Sequence, residues 1–138
     1  MLFIPKKFKF KKQRKGKNFN KIKGLPSVYS LTVGSVGLKA LSANRISSKQ
    51  LDAMRQSINK LIKKAGKVII NVFPSIPVTK KPIEIRMGKG KGNVDHWVAK
   101  IHPGAVICEI VTDNKDIAIK SLENIQKKLN IKTKIIIN

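Results

Sequence analysis

The sequence predicts an α+β domain, a mixed or antiparallel sheet with two helices packed on it, preceded by an extended basic N-terminal arm. Three observations carry that expectation. Short runs of strand-type residues are punctuated by Gly and Pro; two stretches have apolar residues at helical spacing; and residues 1 to 24 contain ten Lys or Arg with no acid. The chain divides at that change of composition into an arm, 1–26, and a single globular domain, 27–138.

In the arm, Lys6, Lys7, Lys9, Lys11, Lys12, Arg14, Lys15, Lys17, Lys21 and Lys23 repel one another, so the segment does not fold on its own. Phe3, Phe8, Phe10 and Phe19 are interleaved with them, and rings among lysines suit stacking on bases or wedging into an RNA crevice. Ser27 to Leu41, rich in β-branched residues, reads as two short strands or one bulged strand around Gly34 and Gly37. Ser47 and Gln50 form a capping box. Leu51, Met54, Ile58, Leu61, Ile62 and Ala65 then recur at helical spacing until Gly66, which is placed to cap the C-terminus. The opposite face carries Lys49, Arg55, Asn59, Lys60, Lys63 and Lys64, with Asp52 as its one acid, and suits contact with phosphates.

Lys67 to Phe73 reads as a strand stopped by Pro74. Pro77 and Pro82 belong to an extended connection, and Ile83 to Met87 reads as a second short strand. His96 to His102 is expected as a strand that the Pro103–Gly104 turn reverses into an antiparallel partner, Ala105 to Val111. Thr112, Asp113 and Asn114 offer a cap for a second helix with Ala118, Leu122, Ile125 and Leu129 inward. Ile131 to Ile137 closes the chain as a strand with Ile131, Thr133, Ile135 and Ile137 on one face.

Charge narrows the class. Thirty Lys plus Arg against 7 Asp plus Glu give a formal +23 in 138 residues, the electrostatic footprint of a nucleic-acid binder. The single cysteine, Cys108, excludes an intramolecular disulfide and reads as a buried thiol. No run reaches the length of apolar residues that a membrane span needs, and the N-terminus has neither a signal-peptide core nor a transit-peptide pattern. No membrane partner is expected, and the protein is expected to be made where it works. Arg14, Arg45, Arg55 and Arg86 are the only arginines, and with the heavy use of Ile and Asn this bias fits an A/T-rich genome.

Arg86 to Asn93, RMGKGKGN, is the most distinctive stretch: Gly88, Gly90 and Gly92 alternate with Lys89 and Lys91, combining high charge with little bulk. It is not a nucleotide loop. A P-loop ends in Lys followed by Ser or Thr and opens a helix, and the dinucleotide fingerprint has another spacing, whereas here Asn93 and Val94 lead into a strand. His96, His102 and Cys108 lack any close two-ligand pair, so no metal or other cofactor is expected. Asp95 and His96, as strand neighbours, are expected on opposite faces, which leaves no catalytic residues and no enzyme. Trp97, inside an apolar strand, reads as a core anchor rather than a stacking platform.

Taken together, Met1-Leu2 with Pro5-Lys6, the basic run to Lys15-Gly16, Gly37-Leu38-Lys39-Ala40, Lys67 with Val72-Phe73-Pro74, Lys81-Pro82, Arg86 to Asn93, Trp97-Val98-Ala99 and Pro103-Gly104 resemble the family of large-subunit ribosomal protein number sixteen, bacterial and organellar type. The resemblance runs nearly end to end. It implies a late-assembling structural protein of the large ribosomal subunit that helps shape the A-site and P-site tRNA region in translation. Its partners would be large-subunit rRNA, tRNA and neighbouring ribosomal proteins, with no homo-oligomer. On that reading the rRNA contacts are Lys6, Lys7, Lys9, Lys11, Lys12, Arg14, Lys15, Lys17, Lys39, Arg45, Arg55, Lys63 and Lys64, and the loop nearest tRNA is Arg86, Met87, Gly88, Lys89, Gly90, Lys91, Gly92 and Asn93. One extra residue before Pro5, and Lys at positions often Arg in the family, depart from its pattern and from bidentate phosphate binding. With the composition, the resemblance implies a protein encoded in an organelle, a mitochondrion in preference to a plastid or a bacterial cytoplasm. The alternative function is a free-standing RNA-binding regulatory protein.

Overall fold

A computed structural model describes residues 3–7, 9–14, 30–63 and 65–138. Among these described residues, seven strands and two helices follow in the order β1 (Val36–Ala40), β2 (Asn44–Ser47), α1 (Ser48–Ile62), β3 (Gly66–Ile70), β4 (Ile76–Lys80), β5 (Asn93–Ile101), β6 (Val106–Thr112), α2 (Lys115–Gln126) and β7 (Thr133–Ile137). The α+β class holds, with the strands divided between two antiparallel sheets, one ordered β3-β6-β1-β7 and the other β2-β5-β4.

Helix α1 starts where the sequence places it. Ser47 accepts from the Gln50 backbone N–H at 3.2 Å while the Gln50 side chain accepts from the Ser47 N–H at 2.9 Å, which satisfies two of the amides that a helix start leaves without partners. Ser47→Ala is expected to lower the unfolding free energy by about 1 kcal/mol, read from denaturant unfolding. The other end differs. Lys63, at φ 52°, closes the helix through a bond from its N–H to the Asn59 carbonyl, and Gly66 opens β3 instead of capping. Leu61 and Ala65, expected inward, are exposed, because Leu51, Met54, Ile58 and Ile62 already complete the buried stripe. Helix α2 buries Ala118, Leu122 and Ile125 as expected, with Leu129 packed at the margin. Its Asn114 makes no side-chain capping bond.

Both helices pack on the first sheet, and their apolar stripes share one core with Val36, Leu38, Cys108 and Ile110 from β1 and β6 and with Ile46, Ala99 and Ile101 from the second sheet. Cys108 is a buried thiol, as the sequence indicated, and its burial pushes its pKa up to about 12. β7, at the sheet edge, buries neither face fully, and Ile137 is exposed.

Three strand assignments change. His96–His102 and Ala105–Val111 do not form a hairpin: β5 is occupied on its two edges by β2 and β4, and β6 by β1 and β3. The turn between them passes the chain from one sheet to the other, held where Gly104 N–H donates to the Ala40 carbonyl at 2.7 Å and Ala40 N–H donates to the Ala105 carbonyl at 2.8 Å. Ile83–Met87 is not a strand but an exposed turn segment. The strand lies earlier, at Ile76–Lys80, where Pro77 is tolerated because β4 is an edge strand. β2 has no counterpart in the sequence reading, four residues being too short for a period to register.

Candidate nucleic-acid interface

The glycine-lysine loop is the tip of a hairpin. β4 and β5 pair antiparallel up to Lys80 opposite Asn93, and residues 81–92 span the gap with 82–91 exposed. Gly88 (φ 111°), Lys89 (φ 50°) and Gly90 (φ 81°) are three successive residues in left-handed conformation, so the loop's shape depends on residues without a Cβ at two of the three positions. Gly92 is needed for a different reason: a Cβ there would lie 2.6 Å from the Lys80 carbonyl oxygen. Lys81 Nζ donates to the Gly88 carbonyl and ties the two sides of the loop together.

The arm is attached to this loop. Lys12 Nζ donates to the Lys91 carbonyl at 2.8 Å, and Lys91 Nζ donates in return to the Gln13 carbonyl. Gln13 and Arg14 lie beside Val78 and Thr79 of β4, Arg45 of β2, Lys100 of β5 and Lys91, lining a narrow basic crevice. Arg45 and Lys100 are direct cross-strand partners, which places two cationic side chains next to each other on this face. Lys100 was missed in the sequence, although it alternates outward while Ala99 and Ile101 point to the core.

Of the other residues singled out, Lys6, Lys7, Lys9 and Lys11 are exposed, and Lys9 Nζ sits 5.7 Å from the centroid of the exposed Phe10 ring. Phe3, expected to stack on bases, packs instead against the apolar core. Lys49, Lys60 and Lys63 are exposed along α1, whereas Arg55 is half-buried and paired to Asp52 at 3.7 Å. Lys39 is half-buried on β1, opposite Lys134 of β7. The structure therefore brings the loop, Lys12, Arg14 and Arg45 together and leaves Lys39, Arg55 and Lys63 on the other sheet and on α1. Phe8, Lys15, Lys17, Phe19, Lys21, Lys23, Lys64 and the start of the Ser27–Leu41 strand lie outside the described residues.

Asp95 and His96 do not point apart. The β4–β5 register slips between Val78 and Thr79, so that Val78 faces His96 and Thr79 faces Val94, leaving Asp95 as the extra residue of a bulge. Asp95 Oδ2 and His96 Nδ1 meet at 2.8 Å, and that hydrogen bond above all holds the Asp95 carboxyl below its ordinary value. The pair is exposed at the foot of the loop, where Asp95 joins Lys80, Lys81, Pro82, Ile83, Asn93 and Val94 in lining an open cleft that has no Ser, Thr or Cys among its residues. Trp97 is half-buried opposite Pro77, at the rim and not inside the core.

A second group escaped the sequence reading. Glu109, in the middle of β6, is fully buried on the sheet face opposite Cys108 and Ile110. Its carboxylate accepts from the backbone N–H groups of Thr32 (3.1 Å), Val33 (3.0 Å) and Gly34 (2.8 Å), from the Thr32 hydroxyl, and from Asn71 Nδ2 at 2.6 Å. Burial alone would push the carboxyl up, but the donors together hold it at about 2. The signal for it was an acid inside an otherwise apolar strand, AVICEIV.

The fold and surface define a small basic α+β scaffold whose thin loop, arm and outer sheet face form one positive surface, with its buried acid spent on internal bonding. The family model for ribosomal protein L16p/L10e matches residues 5–136, and the chain belongs to that family. It is similar to the large ribosomal subunit protein uL16 of Hyphomonas neptunium, 47% identical over 132 residues that cover 96% of this chain and 94% of that protein. It is 44% identical over 136 residues to uL16 of Blochmanniella pennsylvanica, covering 99% and 98% of the two chains. Against uL16 of Dichelobacter nodosus it is 44% identical over 130 residues, covering 94% and 92%.

Proposed function

We propose that the chain is a structural constituent of the large ribosomal subunit, seated on the large rRNA through its arm, its crevice and α1, with Arg86 to Asn93 approaching tRNA. The observation that carries this reading is the family match over nearly the whole chain, to relatives named as large-subunit proteins. The convergence of Arg14, Arg45, Lys91 and Lys100 on one crevice supports it physically, since a basic cluster of this kind attracts phosphates. On this reading peptide-bond chemistry belongs to RNA and the chain positions it.

Sedimentation tests the proposal. The chain is expected to stay with large subunits through a high-salt wash, because arm and loop interlock with folded RNA rather than being held by screened charge alone. Release as free protein at moderate salt would overturn it. The same fractionation decides the compartment: the Lys, Ile and Asn bias supports a mitochondrial ribosome, while the bacterial relatives favour a bacterial cytoplasm.

A further inference from the structure

The loop carries more than charge. Between Lys81 and Gly88, whose hydrogen bond brings the segment's ends together, Ile83 is 98% exposed, Ile85 55% and Met87 97%. Ile83 and Met87 are almost wholly in water with Ile85 half-exposed between them, and large exposed apolar side chains grouped in this way are the kind of surface that a partner covers. They are not core residues that slipped out, because the segment makes a turn of its own, with Ile85 N–H bonded to the Pro82 carbonyl at 3.3 Å, and leaves the β4–β5 ladder complete up to Lys80 and Asn93.

The surrounding charge names the partner. Lys81, Arg86, Lys89 and Lys91 flank the apolar tip against Glu84 alone within the loop, a pattern complementary to an RNA backbone. We propose that Ile83 and Met87 are apolar contacts to unstacked base faces of the subunit's RNA, with Arg86 and Lys89 holding the phosphates on either side. Apolar side chains set against bases give binding that salt does not screen, whereas lysines give binding that it does. This inference rests on the ribosomal reading above and adds to it which atoms of the loop carry affinity.

The test is rebinding of the purified full chain, over a series of salt concentrations, to large-subunit particles made in cells depleted of it, and in parallel to protein-free large-subunit rRNA. The double variant Ile83→Ser/Met87→Ser is expected to bind both at least about tenfold more weakly with the wild-type slope of log K against log salt. Lys89→Ala is expected to reduce that slope by about 0.7 to 0.9. Neither side chain of the double variant touches the core, so its melting temperature stays at the wild-type value. Affinity unchanged in the double variant overturns the inference, and so does a loss seen on particles but not on bare rRNA, which assigns the tip to a protein neighbour. Failure of the wild-type chain to rebind to either target would instead overturn the ribosomal reading itself.

Discussion

Glu109→Gln is expected to lower the unfolding free energy by about 2–4 kcal/mol at neutral pH, more than a surface substitution in this chain, where effects of about 0.5 kcal/mol are usual. The carboxylate is the acceptor for three successive backbone amides, a hydroxyl and the Asn71 amide, and an amide side chain would turn one of its two acceptor atoms into a donor facing donors. Thr32, Val33 and Gly34 donate their amides to this carboxylate, so hydrogen exchange at these amides should rise with the loss of stability. The pH dependence has a definite sign. The folded carboxyl lies at about 2 against an ordinary 4.5, so its contribution is fully present above about pH 4.5 and is lost as the pH falls toward 2. The gap between wild type and Glu109→Gln, measured by denaturant unfolding across that range, should close from pH 4.5 downward; a gap that stays constant would show that packing and not the charge is responsible.

Gly90→Val is expected to impair growth, in cells whose only copy carries the change, far more than Lys89→Ala. A valine at this position meets two obstacles, a clash at an RNA surface and a forbidden backbone angle. The structure identifies the second within the chain itself: at φ 81° a β-branched residue is strained by about 1–3 kcal/mol, although a Cβ at Gly90 meets no atom of the protein within 4 Å. Gly90→Asn separates the two, because Asn tolerates the left-handed region. Recovery of growth with Asn would assign the defect to conformation, and an equal defect would assign it to bulk against the RNA. Lys89→Ala removes one exposed charge among several, and equal growth of Gly90→Val and Lys89→Ala would contradict the prediction.

How much was legible depended on how local the determining contact is. The capping box of Ser47 and Gln50, the buried stripe of Leu51, Met54 and Ile58, and the placement of the glycine loop between strands all follow from neighbours within a turn or two. Leu61 was misread because a helical stripe has a finite width that the period alone does not set. Ile83 to Met87 has the alternation of a strand, Ile-Glu-Ile-Arg-Met, yet no sheet edge receives it, and its apolar residues are left in water. Lys91 was expected in the loop nearest tRNA, and the structure gives it a bond to Gln13 across 78 residues, which nothing near it in the chain announces.

The sequence by itself determined the α+β class, the two helices and most of their inward faces, the buried Cys108, and a basic chain built around RMGKGKGN. The tertiary structure alone decided that the strands form two sheets, that β5 and β6 part at Pro103–Gly104, that a bulge turns Asp95 toward His96, and that Glu109 is enclosed by amides from Thr32 to Gly34. The physical reason is common to all four. Period and capping report which way a side chain faces, whereas a strand's neighbours, a bulge's extra residue and a buried carboxylate's donors are chosen by segments distant in sequence, through backbone hydrogen bonds that carry no side-chain signature.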